Sequence, residues 1–546
     1  MAENFRPWRF AGALACLYGL LVFSDLPENW SALRFVRWPV ELPVLALALI
    51  LAPTRRRSGV IRVVAAILCV LVVLKLANLT AYALYARTFN ILVDPGLIGT
   101  ALETVAMGQG MLAAAGIAVA AVTVMAGAFL AARRIAAGIA DIPAALKQRT
   151  AFVLGGFLLA AAPLGKVTVA WAWWPFTSIE SAAFLWNSAT AVVEGLESDR
   201  AFAAAANSAA FDAAPDTAVL AGLRGHDVLI VFAEAYGRVA LEDPAHGASL
   251  VPTLRDIEHD LAGAGLSARS AWLTSPTFGG QSWLAHGTFM SGLWLDNQRR
   301  YDSLFARERG NLIRDFARGG WRTVAVMPAI TASWIEAPWF GYDAIYDFAA
   351  LDYAGPPFDY MTMPDQFALE SLARKELARK ELAGSGRQRI FAEIALVSSH
   401  MPWTPLPKLV AWNDLADGRM FDTARTPPRA VEWWNRDQLK RDYTDAIDYV
   451  LRTLSSFAVT YGKQDMVLIF VGDHQPMNIV GDLGGGRDVP VHIITSNPAV
   501  LAAIDSWGWT PGMVPDTASP VWGMDTMRGR LHSAFTPSAI AQSAPR

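Results

Sequence analysis

Acidic and histidine side chains stand at the ends of apolar stretches that are typical of buried strands. The stretch VLIFVGDHQPM, residues 467–477, ends on Asp473 and His474, and DVLIVFAEAYG ends a similar run on Glu234. Carboxylate oxygens and an imidazole nitrogen form a ligand set that suits Mn²⁺ or Zn²⁺ better than Ca²⁺. Burying two carboxylates without a cation is costly, so we predict one divalent metal ion here. The alternative is that Asp473 and His474 only cap a turn.

A serine follows two glycines in LTSPTFGGQSWLAHGTFMSGL, residues 273–293. Gly279 and Gly280 permit an unusual backbone turn, and an apolar helical run begins directly after Ser282. Free amides at such a turn and helix start can bind a phosphate, which makes Gly280 a candidate substrate-binding residue. Ser282 is the candidate nucleophile and a fourth metal ligand, because a nearby cation favours the ionised hydroxyl. The alternatives are simple helix capping by this serine and attack by Thr277.

Three further histidines are candidate site residues. His286 lies one helical turn after Ser282 and is a candidate general acid or base, with helix packing as the alternative. His400 follows another apolar run in RIFAEIALVSSHMPW, and His492 occupies a polar position in VPVHIIT. The remaining histidines are predicted to lie at the surface: His226, His246, His259 and His532.

An α/β domain would bring these positions together. From residue 227 onward short apolar strands alternate with helices, and several strands are apolar throughout, which predicts a mostly parallel central sheet. In open α/β sheets, ligands bind beyond the carboxyl ends of the strands. Strands are predicted at 227–234, 267–273, 321–327, 389–397, 465–471 and 489–495, and helices between them include 311–319 and 436–458.

The first 174 residues have the composition of a membrane domain. The hydrophobic content of 53% is high for a soluble enzyme, and five apolar runs approach the roughly 20 residues that cross a bilayer. Arginine and lysine flank these runs so that the N-terminus is predicted to be cytoplasmic and the α/β domain extracytoplasmic. The runs are 10–24, 39–52, 60–79, 111–132 and 151–174.

The predicted organisation is therefore a polytopic α-helical membrane domain of five spans at 1–174, a juxtamembrane helix and linker at 175–226, and the α/β domain at 227–546. The only cysteines, Cys16 and Cys69, lie in predicted spans, so the outer domain folds without a disulfide. The net charge of −3 and the absence of a basic, aromatic-interleaved strip exclude a nucleic-acid partner.

The order of these motifs resembles the alkaline-phosphatase superfamily, and within it the sulfatase-like membrane transferases of lipid headgroups. These include lipoteichoic acid synthases, phosphoglycerol transferases and phosphoethanolamine transferases. The resemblance implies that Glu234, Asp473 and His474 bind the metal and that Ser282 replaces the family's attacking threonine. It also implies that His400, in SSHMPW, contacts the substrate headgroup.

A second region of resemblance is WRTVAVMPAITASWIEAPWFGYDAIYD, residues 321–347, in which Trp334 matches a headgroup-binding tryptophan. Glu336 stands near the position of the family's arginine, so the headgroup stays open between phosphoglycerol and phosphoethanolamine. The implied activity is transfer of a phospho-headgroup from a membrane phospholipid to a glycan or lipid acceptor. The implied location is the bacterial inner membrane, with a periplasmic catalytic domain. A phosphodiesterase of the same superfamily and a non-enzymatic sensor are the alternatives.

Overall fold

A computed structural model describes residues 6–26, 30, 35, 37–85, 87–96, 98–99, 102, 110–161, 177–207, 215–358, 361–378, 388–462, 465–481 and 486–537. The chain divides into two compact units. The N-terminal unit is Met1–Tyr82 with Arg87–Asp199, and the C-terminal unit is Ala83–Ala86 with Arg200–Arg546. The predicted domain limits at residues 174 and 226 stay a prediction.

Helices begin within or next to all five predicted membrane runs. Two described helices are long and apolar enough to cross a bilayer, over Arg57–Ala83 and Met111–Ala140, whereas the first two helices are shorter. Residues 162–174 of the fifth predicted span lie outside the described residues, and the five-span topology stays a prediction. The helices are Pro7–Val22 (α1), Glu41–Ile50 (α2), Arg57–Tyr85 (α3), Met111–Ala140 (α4), Ala144–Ala161 (α5) and Glu180–Ala206 (α6).

A buried lysine holds the end of α1 in the N-terminal unit. The Lys75 side chain, on α3, is 1% exposed, and its Nζ donates to the carbonyl oxygens of Phe23 at 2.6 Å and Leu21 at 3.2 Å. The last carbonyls of a helix have no partner within the helix, so a cation there satisfies them and complements the helix dipole. Lys75 therefore tolerates its apolar surroundings because it caps α1.

The C-terminal unit contains an α/β domain. Its longer strands are Asp227–Ala233 (β3), Ser267–Thr274 (β4), Arg322–Met327 (β5), Ile390–Leu396 (β7), Met466–Gly472 (β8) and Asp488–Thr495 (β9). Its shorter strands are Ala344–Asp347 (β6), Thr510–Pro511 (β10) and Val521–Gly523 (β11), while Trp38–Pro39 (β1) and Thr177–Ser178 (β2) pair in the N-terminal unit. Its helices are Val239–Glu242 (α7), Pro244–Gly263 (α8), Ser282–Ser291 (α9), Gln298–Phe305 (α10), Leu312–Arg318 (α11), Ala337–Phe340 (α12), Asp365–Leu372 (α13), Arg436–Tyr461 (α14), Pro498–Ala503 (α15) and Met527–Phe535 (α16).

Strands β3 to β11 form one mixed sheet in the described part of the chain. The strand order is β10-β4-β9-β8-β3-β7-β5-β6, and β11 pairs with β4. The prediction of a mostly parallel sheet is met only in part, because β9 runs antiparallel to β8 and β4, and β10 antiparallel to β4. A parallel neighbour needs a crossover connection that is usually helical, and no described helix separates β8 from β9.

Both faces of the sheet are covered by helices. Along β3, Val228, Ile230 and Phe232 belong to one apolar cluster, whereas Leu229 and Val231 belong to the other. Residues of α8 and α14 pack in the cluster of Leu229, and residues of α9, α11 and α16 pack in the cluster of Val228. Because successive strand side chains point to opposite faces, a strand covered on both sides is apolar throughout, as the sequence of β3 is.

The strand predictions agree with the observed longer strands to within a residue at each end, and so does the predicted helix at 311–319. Strands β6, β10 and β11 were not predicted. They contain two to four residues each, and none is fully buried. Such short edge strands exist because a neighbour offers hydrogen bonds, and their own sequences carry too few residues for a period-2 pattern.

Replacing Gly472 by alanine should destabilise the C-terminal unit strongly. A Cβ at this residue, the last of β8, would lie 1.9 Å from the carbonyl oxygen of Tyr236, which is backbone and has little room to move. We expect the free energy of unfolding to fall by about 3 kcal/mol or more. Thermal unfolding of the purified full-length protein measures the effect.

Gly263→Ala is the matched control for Gly472→Ala. Gly263 ends α8, and a Cβ there would have no neighbour within 4 Å. We therefore expect its melting temperature to stay the same or rise slightly. Equal melting temperatures for the two variants would contradict the close contact between Gly472 and Tyr236.

Candidate metal centre and active site

Three predicted ligands meet at the carboxyl edge of the sheet. β3 and β8 are parallel neighbours with Ala233 opposite Gly472, so the residues that follow each strand emerge side by side. One ligand atom from each of Glu234, Asp473 and His474 lies within 4.8 Å of the others. The Nε2 atom of His474 is 3.2 Å from Oε1 of Glu234 and 3.6 Å from Oδ2 of Asp473.

Backbone hydrogen bonds hold these side chains in place. Oδ1 of Asp473 accepts from the amides of Ala235 at 2.8 Å and His474 at 2.6 Å, which leaves Oδ2 facing the imidazole. Nδ1 of His474 is 2.8 Å from the carbonyl oxygen of Gln475. A carbonyl only accepts, so Nδ1 carries a proton and Nε2 is the nitrogen that faces the cluster and could bind a metal.

The serine enters this cluster from a strained turn. Gly279, Gly280 and Gln281 all have positive φ, of 68°, 142° and 66°, and the value at Gly280 is one that side-chain-bearing residues rarely adopt. Ser282 then begins α9, and its Oγ donates to Oε2 of Glu234 at 3.0 Å and lies 3.3 Å from Nε2 of His474. The hydroxyl is thus adjacent to two of the three candidate ligands.

The electrostatics of the cluster favour an added positive charge. Burial alone would lower the pKa of His474, but the negative charges of Asp473 and Glu234 raise it to about 9. Burial and the charge of Glu234 raise the pKa of Asp473 to about 6. Burial also acts to raise the pKa of Glu234, yet the charge and hydrogen bond of His474 outweigh it and lower that pKa below its usual range. A divalent cation fits this donor set, because it would supply the charge that a proton otherwise supplies.

The hydroxyl of Thr277, the alternative nucleophile, is engaged in a hydrogen bond within the turn. Thr277 is buried, and its Oγ1 donates to the carbonyl oxygen of Gly280 at 2.5 Å, which stabilises the turn. The turn is also tied to the ligand segment, because the amide of Gly279 donates to the carbonyl oxygen of Gln475. This geometry supports Ser282 as the reactive hydroxyl.

The other predicted site residues lie further from the candidate metal ligands. His286 stacks on Phe232, and its Nδ1 is 2.9 Å from Oε1 of Glu393. His400 is exposed, and its Nδ1 donates to the carbonyl oxygen of Met401 at 2.7 Å. Trp334 is half-buried and packs against Phe340 and Tyr342. None of these side chains contacts a candidate ligand by a described hydrogen bond, and their roles stay predictions.

Two buried groups near the site were missed from the sequence. Glu393 is 2% exposed in the middle of β7, and its second oxygen accepts from the hydroxyl of Tyr342. A signal was present, because the strand IFAEIAL places one carboxylate among apolar residues. Ser399, whose Oγ donates to the carbonyl oxygen of Glu234 at 2.6 Å, was also missed. A serine in a loop carries no comparable signal.

The surface assignment of the remaining histidines was wrong for three of four. His226, His246 and His532 are buried, and only His259 is exposed. His246 lies between Oγ1 of Thr444 and the carbonyl oxygen of Val480, at 2.7 Å from each. A histidine that finds two partners can be buried, and those partners come from distant parts of the chain.

Both ring nitrogens of His492 are hydrogen-bonded to other side chains, which indicates a structural role. Its Nδ1 is 2.7 Å from Oγ of Ser270, which donates its own proton to Gly512, and its Nε2 is 3.2 Å from the hydroxyl of Tyr236. Nδ1 therefore donates to the serine and Nε2 accepts from the tyrosine, as a neutral ring does. Burial lowers the pKa of His492 to about 3.

No family model and no curated protein matches the chain. Among solved structures, it is similar to the lipoteichoic acid synthase LtaP from Listeria monocytogenes, at 13% identity over 62% of this chain and 78% of that chain, with a TM-score of 0.38. It is also similar to the Streptococcus pyogenes phosphoglycerol transferase GacH in complex with sn-glycerol-1-phosphate, at 11% identity over 63% and 82% of the two chains and the same TM-score of 0.38.

A third similar structure is the zinc complex of the C-terminal periplasmic domain of EcEptC from Escherichia coli. It is 12% identical over 57% of this chain and 84% of that chain, with a TM-score of 0.37. These structures include a lipoteichoic acid synthase and a phosphoglycerol transferase, two of the groups that the sequence motifs resemble. The matches concern the fold and leave substrate and mechanism to be argued from the site.

Binding of a divalent metal should depend on Asp473. We expect Mn²⁺ or Zn²⁺ to raise the melting temperature of the metal-depleted protein, because the cation binds only the folded state. In Asp473→Asn the rise should be lost, since an amide brings no charge. Asp414→Asn, which alters an exposed carboxylate, should respond as the wild type does. A full response in Asp473→Asn would contradict the proposed ligand set.

Acid should destabilise the protein partly through His492. Its folded-state pKa is lowered, so the unfolded chain takes up a proton below pH 6.5 while the folded chain stays neutral down to about pH 3. The associated stability is full above pH 6.5 and is lost at about 1.4 kcal/mol per pH unit as pH falls. The difference in the free energy of unfolding between pH 7 and pH 5 should be smaller in His492→Gln than in wild type. The exposed-site control His259→Gln should keep the wild-type difference.

Proposed function

We propose that the protein is a metal-dependent transferase that moves a phospho-headgroup, phosphoglycerol or phosphoethanolamine, from a membrane phospholipid to a glycan or lipid acceptor. One observation carries the proposal. Ser282 is the first residue of α9, and its hydroxyl lies 3.0 Å from Glu234 and 3.3 Å from His474, which belong to the cluster of candidate metal ligands. A hydroxyl in this position is suited to attack a phosphodiester.

The chain supplies a nucleophile, backbone amides for the phosphoryl oxygens and a set of metal ligands. Ser282 attacks phosphorus, diacylglycerol leaves, and a covalent phospho-headgroup serine results. The first turn of α9 offers free backbone amides and the positive end of its dipole to the phosphoryl oxygens, and the turn at Gly280 exposes further backbone beside them. A divalent cation held by Glu234, Asp473, His474 and Ser282, Mn²⁺ or Zn²⁺, would favour the ionised serine and offset charge on phosphorus-bound oxygens.

The second step returns the enzyme to its starting state. An acceptor hydroxyl attacks the phosphoserine, and Ser282 leaves as the headgroup passes to the acceptor. His286 or His400 gives a proton to the first leaving group and recovers one from the acceptor. Trp334, which packs against Phe340 and Tyr342, and His400 would contact the headgroup.

The N-terminal unit supports a lipid donor. Its two long apolar helices are suited to a bilayer, and exposed apolar side chains on the second, such as Leu112, Val119 and Val124, would face lipid. We propose that the protein is integral to the bacterial inner membrane, with its N-terminus cytoplasmic, five spans and a periplasmic catalytic domain.

Two other functions remain distinguishable by experiment. In a metal-dependent phosphodiesterase water takes the place of the acceptor, so an added acceptor would not raise turnover. In a non-enzymatic sensor Ser282→Ala would bind ligand unchanged and nothing would be cleaved. The hydrogen bond from Ser282 to Glu234 favours an enzyme, because a binding site has no need to orient a nucleophile.

A covalent adduct on Ser282 should form when metal-loaded protein meets its donor lipid. After incubation with phosphatidylglycerol or phosphatidylethanolamine, mass spectrometry of the peptide containing Ser282 should detect a phosphoglycerol or phosphoethanolamine group, and the added mass identifies the headgroup. Ser282→Ala should show neither adduct nor diacylglycerol release.

Thr277→Ala is the matched control for Ser282→Ala, because it removes a neighbouring hydroxyl that the geometry assigns to the turn. We expect this variant to form the adduct, at a rate lowered only through loosening of the turn. An adduct on Thr277, or cleavage of both lipids by Ser282→Ala, would overturn the assignment of the nucleophile. Cleavage of a soluble phosphodiester without any adduct from either lipid would favour the hydrolase.

A further inference from the structure

Glu393 is a buried carboxylate for which the proposed transfer has no role. It lies in the middle of β7, opposite Ile230 of β3 and Ala325 of β5, and its side chain is 2% exposed. A carboxylate in such surroundings is costly unless hydrogen bonds satisfy it. One oxygen is 2.9 Å from Nδ1 of His286 and the other accepts from the hydroxyl of Tyr342.

The contact with Glu393 determines which nitrogen of His286 can exchange a proton. An ionised carboxylate only accepts, so Nδ1 carries a hydrogen and Nε2 is the nitrogen left for chemistry. Among the described residues, Nε2 has no hydrogen-bond partner. The ring stacks on Phe232 with 3.9 Å between centroids and 21° between planes, which restricts its rotation. His286 is therefore oriented from one side by a carboxylate and across its face by an aromatic ring.

The helix places this oriented imidazole next to the nucleophile. Ser282 and His286 are four residues apart on α9, and side chains at that spacing share one face with Cβ atoms about 5–6 Å apart. The imidazole of His286 therefore lies on the helix face that carries the nucleophile.

His400 lacks this support. Its side chain is exposed, and Nδ1 donates to the backbone carbonyl of the next residue, Met401. No described carboxylate hydrogen-bonds its ring. A carboxylate partner both orients an imidazole and stabilises its charged form, so His286 is better equipped to carry a proton through a reaction cycle.

We propose that Glu393, itself held by Tyr342, is the positioning residue that makes His286 the general acid–base of the transfer. This inference rests on the proposed function. In the first step the ionised Ser282 forms its Oγ–P bond as the P–O bond to diacylglycerol breaks, and protonated His286 gives its Nε2 proton to the departing oxygen. In the second step the acceptor hydroxyl gives its proton to Nε2 as its oxygen bonds phosphorus, and the Oγ–P bond breaks to restore the serine.

The test compares two leaving groups in the first turnover. Diacylglycerol is an alkoxide leaving group that needs a proton, whereas 4-nitrophenolate from bis(4-nitrophenyl) phosphate departs without one. In Glu393→Gln we expect release of diacylglycerol to slow roughly 100-fold and release of 4-nitrophenolate by less than about 3-fold. Tyr342→Phe should show the same selectivity with a smaller loss, of about 10-fold on the lipid. His286→Asn should resemble Glu393→Gln.

The chain offers a matched control in Tyr346→Phe. The hydroxyl of Tyr346 also donates to a buried carboxylate, that of Glu376, at 2.6 Å, but this pair lies outside the candidate site. We expect wild-type rates on both substrates from this variant. A melting temperature measured for each variant identifies losses caused by unfolding, which would lower both rates by the same factor.

The outcomes separate this inference from the proposed function. Equal loss on both substrates in folded Glu393→Gln, or an unchanged rate with lipid, would overturn the positioning role while leaving the serine transfer intact. A wild-type protein that releases no diacylglycerol and forms no adduct on Ser282 would overturn the transfer and the acid–base role together.

Discussion

The structure around the site depends on the concentration of negative charge at one edge of the sheet. Two carboxylates and an imidazole lie within 4.8 Å of one another, in surroundings that exclude most solvent. The field of the carboxylates is strong enough to raise the pKa of His474 to about 9 although burial opposes it. A fold that maintains such a cluster must hold each group by other bonds, because mutual repulsion and desolvation would otherwise disperse them.

Backbone groups from several segments provide that restraint. The carbonyl oxygen of Gln475 accepts from both Nδ1 of His474 and the amide of Gly279, so a single atom joins a candidate ligand to the glycine turn before Ser282. The carbonyl oxygens of Glu234 and Ala235 accept from the hydroxyls of Ser399 and Tyr443. The site is consequently supported from both sides of β3, and its geometry follows from the packing of the central strands.

The proposed chemistry is consistent with how the two layers of the site are built. In the proposed chemistry, the inner layer, formed by the candidate ligands and Ser282, handles the charge on phosphorus and oxygen. The outer layer would handle a proton, and it is formed by His286 on the next turn of the nucleophile's helix, Glu393 on β7 and Tyr342 between α12 and β6. Separation of these tasks allows the imidazole to keep a carboxylate partner that is not a candidate metal ligand.

The longer strands, the two-sided burial of the sheet and the four residues of the inner layer were predicted from the sequence. Runs of apolar residues that end in Glu234, or in Asp473 and His474, carry a local signal. The glycines before Ser282 likewise predicted an unusual turn, and the turn has positive φ. Contacts between distant segments set the antiparallel course of β9, the short edge strands, and the burial of His226, His246 and His532. They also make Glu393, 107 residues from His286 in sequence, the partner of that histidine. Hydrogen bonds between distant segments leave no periodicity in either segment, so their pairing is known only once the sheet has brought them together.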